Sequence, residues 1–317
     1  MEDMKGNVLI TGGAGFIGCN LVESLLCNSS IKKIFILDNL SSGNLHFLPN
    51  DPRVEFIFCD IENYEKLKKL VPNDVDYIFH LAAHFANQNS VDNPLSDINT
   101  NIIGTLNVLK ISLKIKVKKI INASSSCVYG NEKNMSEDCY LYPYETPYAI
   151  NKLTSEIYFK YFSHLYNLPC LSLRIFNTFG KYELAHKYRN VIPNFIDLAL
   201  KNKPLTITGD GQETRDFTFV SDTVDLMIKM ASSSLSDGSA FNSGTGYPTT
   251  IKYLAETIIN KSNSNSIIKF EPRRDWDEVT NRLSVISKSQ SVFDYEPKIA
   301  IHDGIEKTVE WYKKNLK

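Results

Sequence analysis

Three side chains in the middle of the sequence have the types and spacing needed to move a proton. Tyr148 and Lys152 are four residues apart, so they share one face of the helix that apolar periodicity predicts at 148–165. A nearby ammonium would stabilise a phenolate and lower the pKa of the tyrosine, which could then take a proton from an alcohol. Ser125 follows the strand predicted at 119–123 and could share that proton. We therefore predict Ser125, Tyr148 and Lys152 as catalytic residues.

A glycine-rich turn near the N-terminus predicts where a dinucleotide binds. Residues 7–11 form a short apolar run, glycines follow at 12, 15 and 18, and residues 16–27 have helical periodicity. A strand, a glycine turn and a helix in this order bring backbone amides to a pyrophosphate. Gly12 permits the tight turn, Gly15 the close approach of the phosphates, and Gly18 the packing of the helix on the strand. The predicted cofactor contacts in this turn are Gly12, Gly15, Phe16, Ile17 and Gly18.

An acidic residue at the end of the next strand narrows the cofactor to NAD. The strand predicted at 33–38 ends in Asp38, about 20 residues after the last glycine. A carboxylate there suits the free ribose hydroxyls of NAD and repels the extra phosphate of NADP. We include Asp38, Asn39, Ser42 and Gly43 in the predicted cofactor site.

The order of elements predicts an α/β fold, a Rossmann doubly wound parallel sheet with a smaller, mostly C-terminal α/β substrate lobe. Strands and helices alternate through the first half, which is typical of β-α-β units. Strands are predicted at 7–11, 33–38, 54–58, 76–81, 119–123 and 170–176, and helices at 16–27, 62–71, 94–115 and 148–165. The 317 residues exceed the usual size of one core. We assign 1–178 to an NAD-binding domain, to which about 214–240 return, and 179–213 and 241–317 to the substrate domain.

Composition and charge argue against several other classes of protein. The net charge is −1 and the charges are interspersed, which gives no support to a nucleic-acid or membrane-surface partner. No apolar run approaches the ~20 residues of a membrane span, and we expect no signal peptide. The six cysteines form no C-x-x-C pair and the histidines no H-E-x-x-H. We therefore expect no metal site, free thiols and a cytoplasmic location.

Together these motifs resemble the extended short-chain dehydrogenase/reductase family, in its nucleotide-sugar branch of UDP-glucose 4-epimerase-like enzymes. The resemblance covers nearly the whole chain, from Gly12 to Trp311. Besides the residues above, it rests on residues 59–61, 81–83, 99, 124–130, 174–180, 209–211, 215–217 and 242–246, with Arg274 and Asp277.

The resemblance implies a role for each matching residue. Tyr148 would be the base for a sugar hydroxyl. Lys152 would hold the nicotinamide ribose and, together with the positive nicotinamide of NAD⁺, lower the pKa of Tyr148. Ser125 would bridge the sugar oxygen and Tyr148. The further implied cofactor contacts are Asp60, Ile61, Leu81, Ala82, Ala83, Asn99 and Ser124. The implied substrate contacts are His84, Ser125, Ser126, Asn177, Arg189, Asn190, Val191, Arg215, Arg274 and Asp277. Arginine suits the diphosphate because its guanidinium offers a bidentate fork.

Some of these residues have a second interpretation. His84 could contact sugar or only hydrogen-bond within its loop. Ser124 and Ser126 could satisfy backbone groups at the end of a strand. Arg273 could take the place of Arg274, because the register there is uncertain by one residue.

One departure from the family pattern narrows the predicted reaction. Family dehydratases carry Asp-Glu after the Ser/Thr and decarboxylases usually carry a Glu nearby, whereas this chain has Ser126 and Cys127. We therefore predict NAD-dependent oxidation at C4 of a nucleotide-diphosphate sugar, as a 4-epimerase with a 4-keto intermediate. The alternatives are a C4 dehydrogenase that releases a 4-keto sugar, for example from a GDP-heptose or GDP-hexose in surface-polysaccharide synthesis, a 4,6-dehydratase, and a non-catalytic NAD-sensing protein.

The resemblance also implies a homodimer. In the family, the helices predicted here at 94–115 and 148–165 often form a four-helix bundle with their copies in a second subunit. The sequence does not identify the sugar or the nucleotide base, because no residue indicates uracil, guanine or thymine.

Overall fold

A computed structural model of the protein describes residues 4–273 and 280–315. Its strands are β1 (Gly6–Thr11), β2 (Ile31–Asp38), β3 (Val54–Phe58), β4 (Tyr77–His80), β5 (Lys119–Ser125), β6 (Cys170–Ile175), β7 (Thr178–Phe179), β8 (Leu205–Thr208), β9 (Thr214–Asp216), β10 (Thr218–Phe219), β11 (Asp237–Ser243), β12 (Pro248–Thr250), β13 (Ile268–Glu271) and β14 (Asn281–Arg282). Its helices are α1 (Phe16–Leu26), α2 (Tyr64–Leu70), α3 (Asn87–Asp92), α4 (Pro94–Ile98), α5 (Thr105–Ile115), α6 (Pro147–Tyr166), α7 (Val191–Leu200), α8 (Val220–Ser232), α9 (Ile251–Ser262), α10 (Ser287–Phe293) and α11 (Ile301–Asn315).

Seven parallel strands form the main sheet, in the order β11-β6-β5-β4-β1-β2-β3. The chain winds outward from β1 through β2 to β3, and then in the other direction from β4 through β5 and β6. The predicted doubly wound parallel sheet is therefore confirmed. Its strand order reverses between β1 and β4, where open sheets of this kind bind ligands at the carboxyl ends of their strands.

Helices cover both faces of this sheet, which explains the unbroken apolar runs in its strands. One face packs on α1 and α8, with Leu21, Leu25 and Met227 in the core. The other face packs on α2, α5 and α6, with Leu67, Leu109 and Phe159 buried. This second layer fixes α6, which carries the predicted base.

A separate apolar cluster joins the elements outside the main sheet. It contains side chains of α7, β8, α9 and α11, among them Phe195, Ile207, Leu254 and Val309. Between these elements, α8 and β11 return to the main sheet, and β11 ends at Ser243, beyond the predicted limit of about 240. The division into two domains stays a prediction.

The structure differs from the predicted elements in several places. The helix predicted at 94–115 consists of α4, a π-helical segment Asn99–Gly104, and α5. A π-turn holds one residue more than an α-turn, so it changes which side chains face inward. The sequence analysis predicted none of α3, α10 and β13. Residues 87–92 are asparagine-rich and lack the apolar spacing that marks a helix.

All six cysteines are free thiols, as predicted. Burial raises the pKa of Cys19 and of Cys170 to about 12, which keeps these two thiols protonated. Within the described residues, no helix is long and apolar enough to cross a membrane.

Candidate active site

At two glycines of the turn, a side chain would collide with the backbone of the protein itself. Gly12 has φ +68°, and a Cβ atom there would lie 2.7 Å from the backbone nitrogen of Ala82. At Gly18 a Cβ would lie 2.6 Å from Cα of Gly13. Helix α1 begins directly after Gly15 and has no side-chain cap, so its first amides stay available to an anion. These features fit the pyrophosphate of NAD, with Phe16 and Ile17 at the helix start.

Asp38 organises the loop at the predicted ribose end of the cofactor. Its carboxylate is buried and accepts hydrogen bonds from the amides of Ala14 at 3.1 Å and Leu40 at 2.7 Å. Burial raises the pKa of Asp38 above its usual value. Gly43 lies so close that a Cβ there would be 3.1 Å from Oδ1 of Asp38. Ser42 lies beside Gly43 and is exposed.

The predicted adenine contacts lie beside this loop. Asn39 donates a hydrogen bond from Nδ2 to Oδ2 of Asp60 at 2.8 Å, so the two residues are brought together. Ile61 is buried, and its side chain packs against Gly104. Its side chain is therefore part of the core, which leaves its backbone for any contact with the cofactor.

The chain after β4 lies against the glycine turn. The amide of Leu81 donates to the carbonyl of Thr11 at 3.0 Å, and the amide of Ala82 lies 3.3 Å from Oγ1 of Thr11. Leu81, Ala82 and Ala83 are half-buried. They lie at the point where the strand order reverses, as expected of residues along the middle of the cofactor.

The three predicted catalytic residues come together at the carboxyl end of β5. Thr146 caps α6 by accepting a hydrogen bond from Ala149 at 3.3 Å, and this places Tyr148 in the first turn. Ser125 lies close enough to Tyr148 to lower the pKa of its phenol. Nζ of Lys152 donates to the carbonyl of Ala123 at 2.8 Å and lies 5.6 Å from the ring centre of Tyr148. A base, a bridging hydroxyl and a cation therefore form one cluster.

Burial dominates the acidity of this cluster. It raises the pKa of Tyr148 well above the ordinary value, and the neighbouring Ser125 only partly opposes this. It also lowers the pKa of Lys152 to about 8. Both groups lose their hydration in the fold, so the lowering of the Tyr148 pKa by Lys152 and the positive nicotinamide of NAD⁺ stays a prediction for the complex with the cofactor. The oxidised nicotinamide of NAD, when bound, supplies the further positive charge that a phenolate needs here.

The structure places a buried carboxylate, Asp97, behind the catalytic pair. Asn151 donates to Oδ2 of Asp97 at 2.6 Å, and Asn101 donates to Oδ1 at 2.8 Å. Nδ1 of His84 lies 3.5 Å from the same Oδ1. The sequence analysis missed Asp97, although its spacing of four from Asn101 was a usable signal.

Asn99 does not belong to this cluster, whereas Asn101 does. Asn99 is exposed on the π-helical segment, whereas Asn101 is buried and exchanges hydrogen bonds of 3.1 Å with the backbone of His84. His84 also lies 3.1 Å from Nδ2 of Asn89 through its Nε2. The structure therefore gives His84 the partners of a loop residue and places Asn101 beside Asp97. The cofactor contact of Asn99 stays a prediction.

Ser124 belongs to a buried network beneath the site. Its hydroxyl donates to Glu156, which binds Arg174 through two oxygens, with the shortest N–O distance 2.8 Å. Arg174 donates to the hydroxyl of Tyr129 at 2.8 Å. The predicted cofactor contact of Ser124 therefore has no support from its geometry. Ser126 is buried as well.

The predicted substrate residues approach from the other elements. Arg189 lies with its guanidinium carbon 6.0 Å from the ring centre of Phe85, whose ring is 5.9 Å from that of Tyr148. Asn190 precedes α7 and donates to Glu183 at 3.0 Å, and Val191 begins that helix. Arg189 therefore approaches the base by way of the ring of Phe85.

The remaining predicted substrate residues lie in the second group of strands or outside the described residues. Asn177, after β6, donates to the carbonyl of Asp216 at 3.1 Å. Arg215 donates to the carbonyl of Thr214 at 2.9 Å. Arg274 and Asp277 lie outside the described residues.

The structure adds one arginine that the sequence analysis missed. Arg282 on β14 is in register with Arg215 on β9, and it is 7 % exposed. Its Nη1 lies 3.3 Å from Sγ of Cys127, which packs with Tyr148. No local motif marks Arg282, because its position depends on pairing between strands distant in sequence.

Comparison with known proteins agrees with this geometry. Residues 8–244 match the family model described as the NAD dependent epimerase/dehydratase family. The UDP-glucose 4-epimerase of Mycolicibacterium smegmatis is 34 % identical over 311 residues, which cover 96 % of this chain and 98 % of that protein.

Two solved structures have the same fold along almost their whole length. The epimerase Mth375 of Methanothermobacter thermautotrophicus is 41 % identical with a TM-score of 0.95, and the match covers 99 % of this chain and 94 % of that one. The UDP-N-acetylglucosamine 4-epimerase of Methanobrevibacter ruminantium M1, in complex with UDP-N-acetylmuramic acid, is 32 % identical with a TM-score of 0.90 and covers 100 % of both chains. The chain therefore belongs to the NAD-dependent epimerase/dehydratase family and is an enzyme of the short-chain dehydrogenase/reductase type with NAD as its cofactor.

Proposed function

We propose that the protein is a UDP-sugar 4-epimerase. The observation that carries this proposal is the cluster of Ser125, Tyr148 and Lys152 at the end of β5, without an acid at positions 126 and 127. Two of the similar proteins described above are 4-epimerases of UDP-sugars, which supports uridine as the base.

The side chains present can carry out the proton transfers of such a reaction. Tyr148 takes the proton of the C4 hydroxyl, and Ser125 holds that oxygen in line with the phenol. Lys152 stabilises the phenolate and orients the cofactor ribose. The chemistry that NAD supplies when bound is acceptance of one hydride from C4 and its return to the other face. Tyr148 then gives the proton back, so the reaction consumes no net oxidant.

The residues that follow Ser125 argue against loss of water or of carbon dioxide. Ser126 and Cys127 are both buried and neither is a carboxylic acid. Removal of water from the sugar needs an acid to protonate the leaving hydroxyl. The keto sugar therefore has no partner for elimination in this part of the site.

We also propose that the enzyme works as a homodimer. Helices α4 and α5 pack beside α6, and the three elements with the intervening π segment expose large apolar side chains to solvent: Leu95, Ile98, Ile103, Ile150, Ile157, Tyr161 and Leu165. Exposed apolar groups of this number are typical of an interface. Light scattering after gel filtration should give twice the monomer mass, and Ile157→Glu should shift it toward the monomer. A wild-type mass of one chain would refute the dimer.

Product analysis tests the proposed reaction. The protein is incubated with UDP-glucose, GDP-glucose and dTDP-glucose, products are identified by NMR and mass spectrometry, and NADH is followed by absorbance. We expect UDP-galactose without accumulation of NADH, and no product with Tyr148→Phe, which retains the cofactor site. A released 4-keto sugar with accumulating NADH, or a 6-deoxy product, would overturn the proposal.

A further inference from the structure

The loop of residues 184–189, between β7 and α7, is anchored at both of its ends. Asn190, which follows the loop, donates a hydrogen bond from Nδ2 to Oε1 of Glu183, which precedes it, at 3.0 Å. Glu183 is buried, and its backbone carbonyl accepts a hydrogen bond from the hydroxyl of Tyr312 on α11. Because the base of the loop is fixed, the contacts of its tip determine where the tip lies.

The tip of the loop contacts the last residue of α3. The hydroxyl of Tyr188 donates to Oδ2 of Asp92 at 2.9 Å, and Nζ of Lys187 lies 3.8 Å from the same oxygen. Hydrogen bonds from Gln88 and Tyr188 hold the pKa of Asp92 below its usual value, so its carboxylate is ionised at neutral pH. The contact therefore joins an ionised acceptor on α3 to a hydroxyl and an ammonium of the loop.

Helix α3 is in turn attached to the first turn of the catalytic helix. Oγ of the buried Ser90 accepts a hydrogen bond from the amide of Tyr148 at 3.0 Å. Oδ1 of Asn87 accepts one from the hydroxyl of Thr146 at 3.2 Å. Helix α3 is therefore a fixed support beside the base, and its last residue, Asp92, is exposed and within reach of the loop.

The loop also lies close to the place of the reacting sugar. The guanidinium carbon of Arg189 is 6.0 Å from the ring centre of Phe85, and that ring is 5.9 Å from the ring of Tyr148. In the proposed reaction Tyr148 takes the proton of the C4 hydroxyl, so the sugar lies against this tyrosine. A single aromatic ring therefore separates the loop from the residue that meets the sugar.

A 4-epimerase needs a closed site because its intermediate has no covalent bond to the protein. Tyr148 takes the hydroxyl proton and the C4 hydride passes to NAD⁺, which leaves a 4-keto sugar beside NADH. The keto sugar must present its other face to the same hydride before it leaves. If it leaves first, the enzyme keeps NADH and has no NAD⁺ to oxidise the next substrate.

We propose that Tyr188 and Asp92 are positioning residues that close the loop 184–189 over the sugar and keep the 4-keto sugar in the site until the hydride returns. Substrate and product must also pass the loop in every turnover. A single exposed hydrogen bond suits both needs, because its net strength is modest and the closure can open again. This inference rests on the proposed epimerase function.

The number of turnovers before the enzyme is trapped with NADH tests the proposal. The wild type, Tyr188→Phe, Asp92→Ala and the double variant are loaded with NAD⁺ and incubated with UDP-glucose. NMR counts the epimerised product, and fluorescence counts the trapped NADH. Each single variant should complete roughly 3- to 10-fold fewer turnovers per trapped enzyme, the value of one hydrogen bond. The double variant should be no worse than Asp92→Ala alone, because both changes remove the same bond.

A control and a second measurement separate this role from a general loss of structure. Tyr247→Phe changes an exposed tyrosine outside the loop and should complete as many turnovers as the wild type. In a Tyr148→Phe background, which binds without turnover, Tyr188→Phe should raise the dissociation rate of UDP-glucose in surface plasmon resonance by a similar factor. The melting temperatures of the surface variants should equal that of the wild type.

The outcomes distinguish the closure from the proposed function. If the wild type does not epimerise UDP-glucose, or releases a 4-keto sugar in every turnover, the epimerase function fails. If it epimerises UDP-glucose and the variants complete as many turnovers as the wild type, the loop does not retain the intermediate. An unchanged dissociation rate of UDP-glucose would refute the closure in either case. Losses that add in the double variant would mean that Tyr188 and Asp92 act separately, and the proposed contact would be wrong.

Discussion

Removing one charge from the buried ion pair beneath the active site should lower the free energy of unfolding more than most single substitutions do. Glu156 and Arg174 are both almost completely buried, and their side chains meet at 2.8 Å. Glu156→Gln keeps the shape of the side chain but leaves the guanidinium of Arg174 without its counter-charge. Breaking a buried pair from one side costs about 3–5 kcal/mol, because the remaining charge stays desolvated. We expect a loss of this size in the free energy of unfolding.

Urea unfolding followed by circular dichroism measures the effect. The control is Asp197→Asn, which breaks the exposed pair with Lys201 on α7 and should change stability by less than about 0.5 kcal/mol. The double variant Glu156→Gln with Arg174→Met removes the charge on both sides. It should be less destabilised than Glu156→Gln alone, since no unpaired charge remains.

Two results would refute this reasoning. A loss below about 1 kcal/mol in Glu156→Gln would mean that water reaches the guanidinium, contrary to its burial. A double variant whose loss equals the sum of the single losses would mean that the two residues do not interact energetically.

Three further predictions concern single residues of the site. The pKa of Lys152 is about 8 in the fold and 10.5 when exposed, so between these pH values the unfolded chain binds more protons and the wild type gains stability as the pH rises. Lys152→Met should lack this gain when urea unfolding is compared at pH 7 and pH 10. If the stability of the variant changed with pH as much as that of the wild type, the ammonium of Lys152 would not be buried. Gly12→Ala should abolish NAD binding in calorimetry, because its Cβ would lie 2.7 Å from the amide nitrogen of Ala82; unchanged affinity would be contrary evidence. Asn101→Ala should lower the melting temperature, because it removes a buried hydrogen bond to Asp97, whereas the exposed Asn99→Ala should leave it unchanged. A loss of stability in Asn99→Ala alone would contradict this reasoning.

The main sheet and the catalytic cluster were predictable because local patterns determine them. Buried parallel strands leave continuous apolar runs, and a glycine turn between strand and helix indicates the direction in which the sheet is wound. The spacing of Tyr148 and Lys152 follows from the helical repeat alone. These features need no information from distant residues.

The features that were not predicted depend on distant contacts. The π-helical segment determines which asparagine is buried beside the site. The pattern of apolar residues does not reveal the one extra residue in such a turn. The burial that raises the pKa of Tyr148 could not be predicted either, because the sequence shows the nearby lysine but not the loss of hydration. Arg282 reaches Cys127 only because β14 pairs with β9, across more than sixty intervening residues.

The place of β11 in the main sheet affects how the chain can be divided and synthesised. This strand forms the outer edge beside β6, yet it follows β6 by more than sixty residues. During synthesis, the first six strands of the main sheet therefore leave the ribosome well before β11, which pairs with the open edge of β6. Unpaired edges of this kind recruit other chains, so a fragment that ends at residue 178 should aggregate, whereas one that extends through β11 should be soluble.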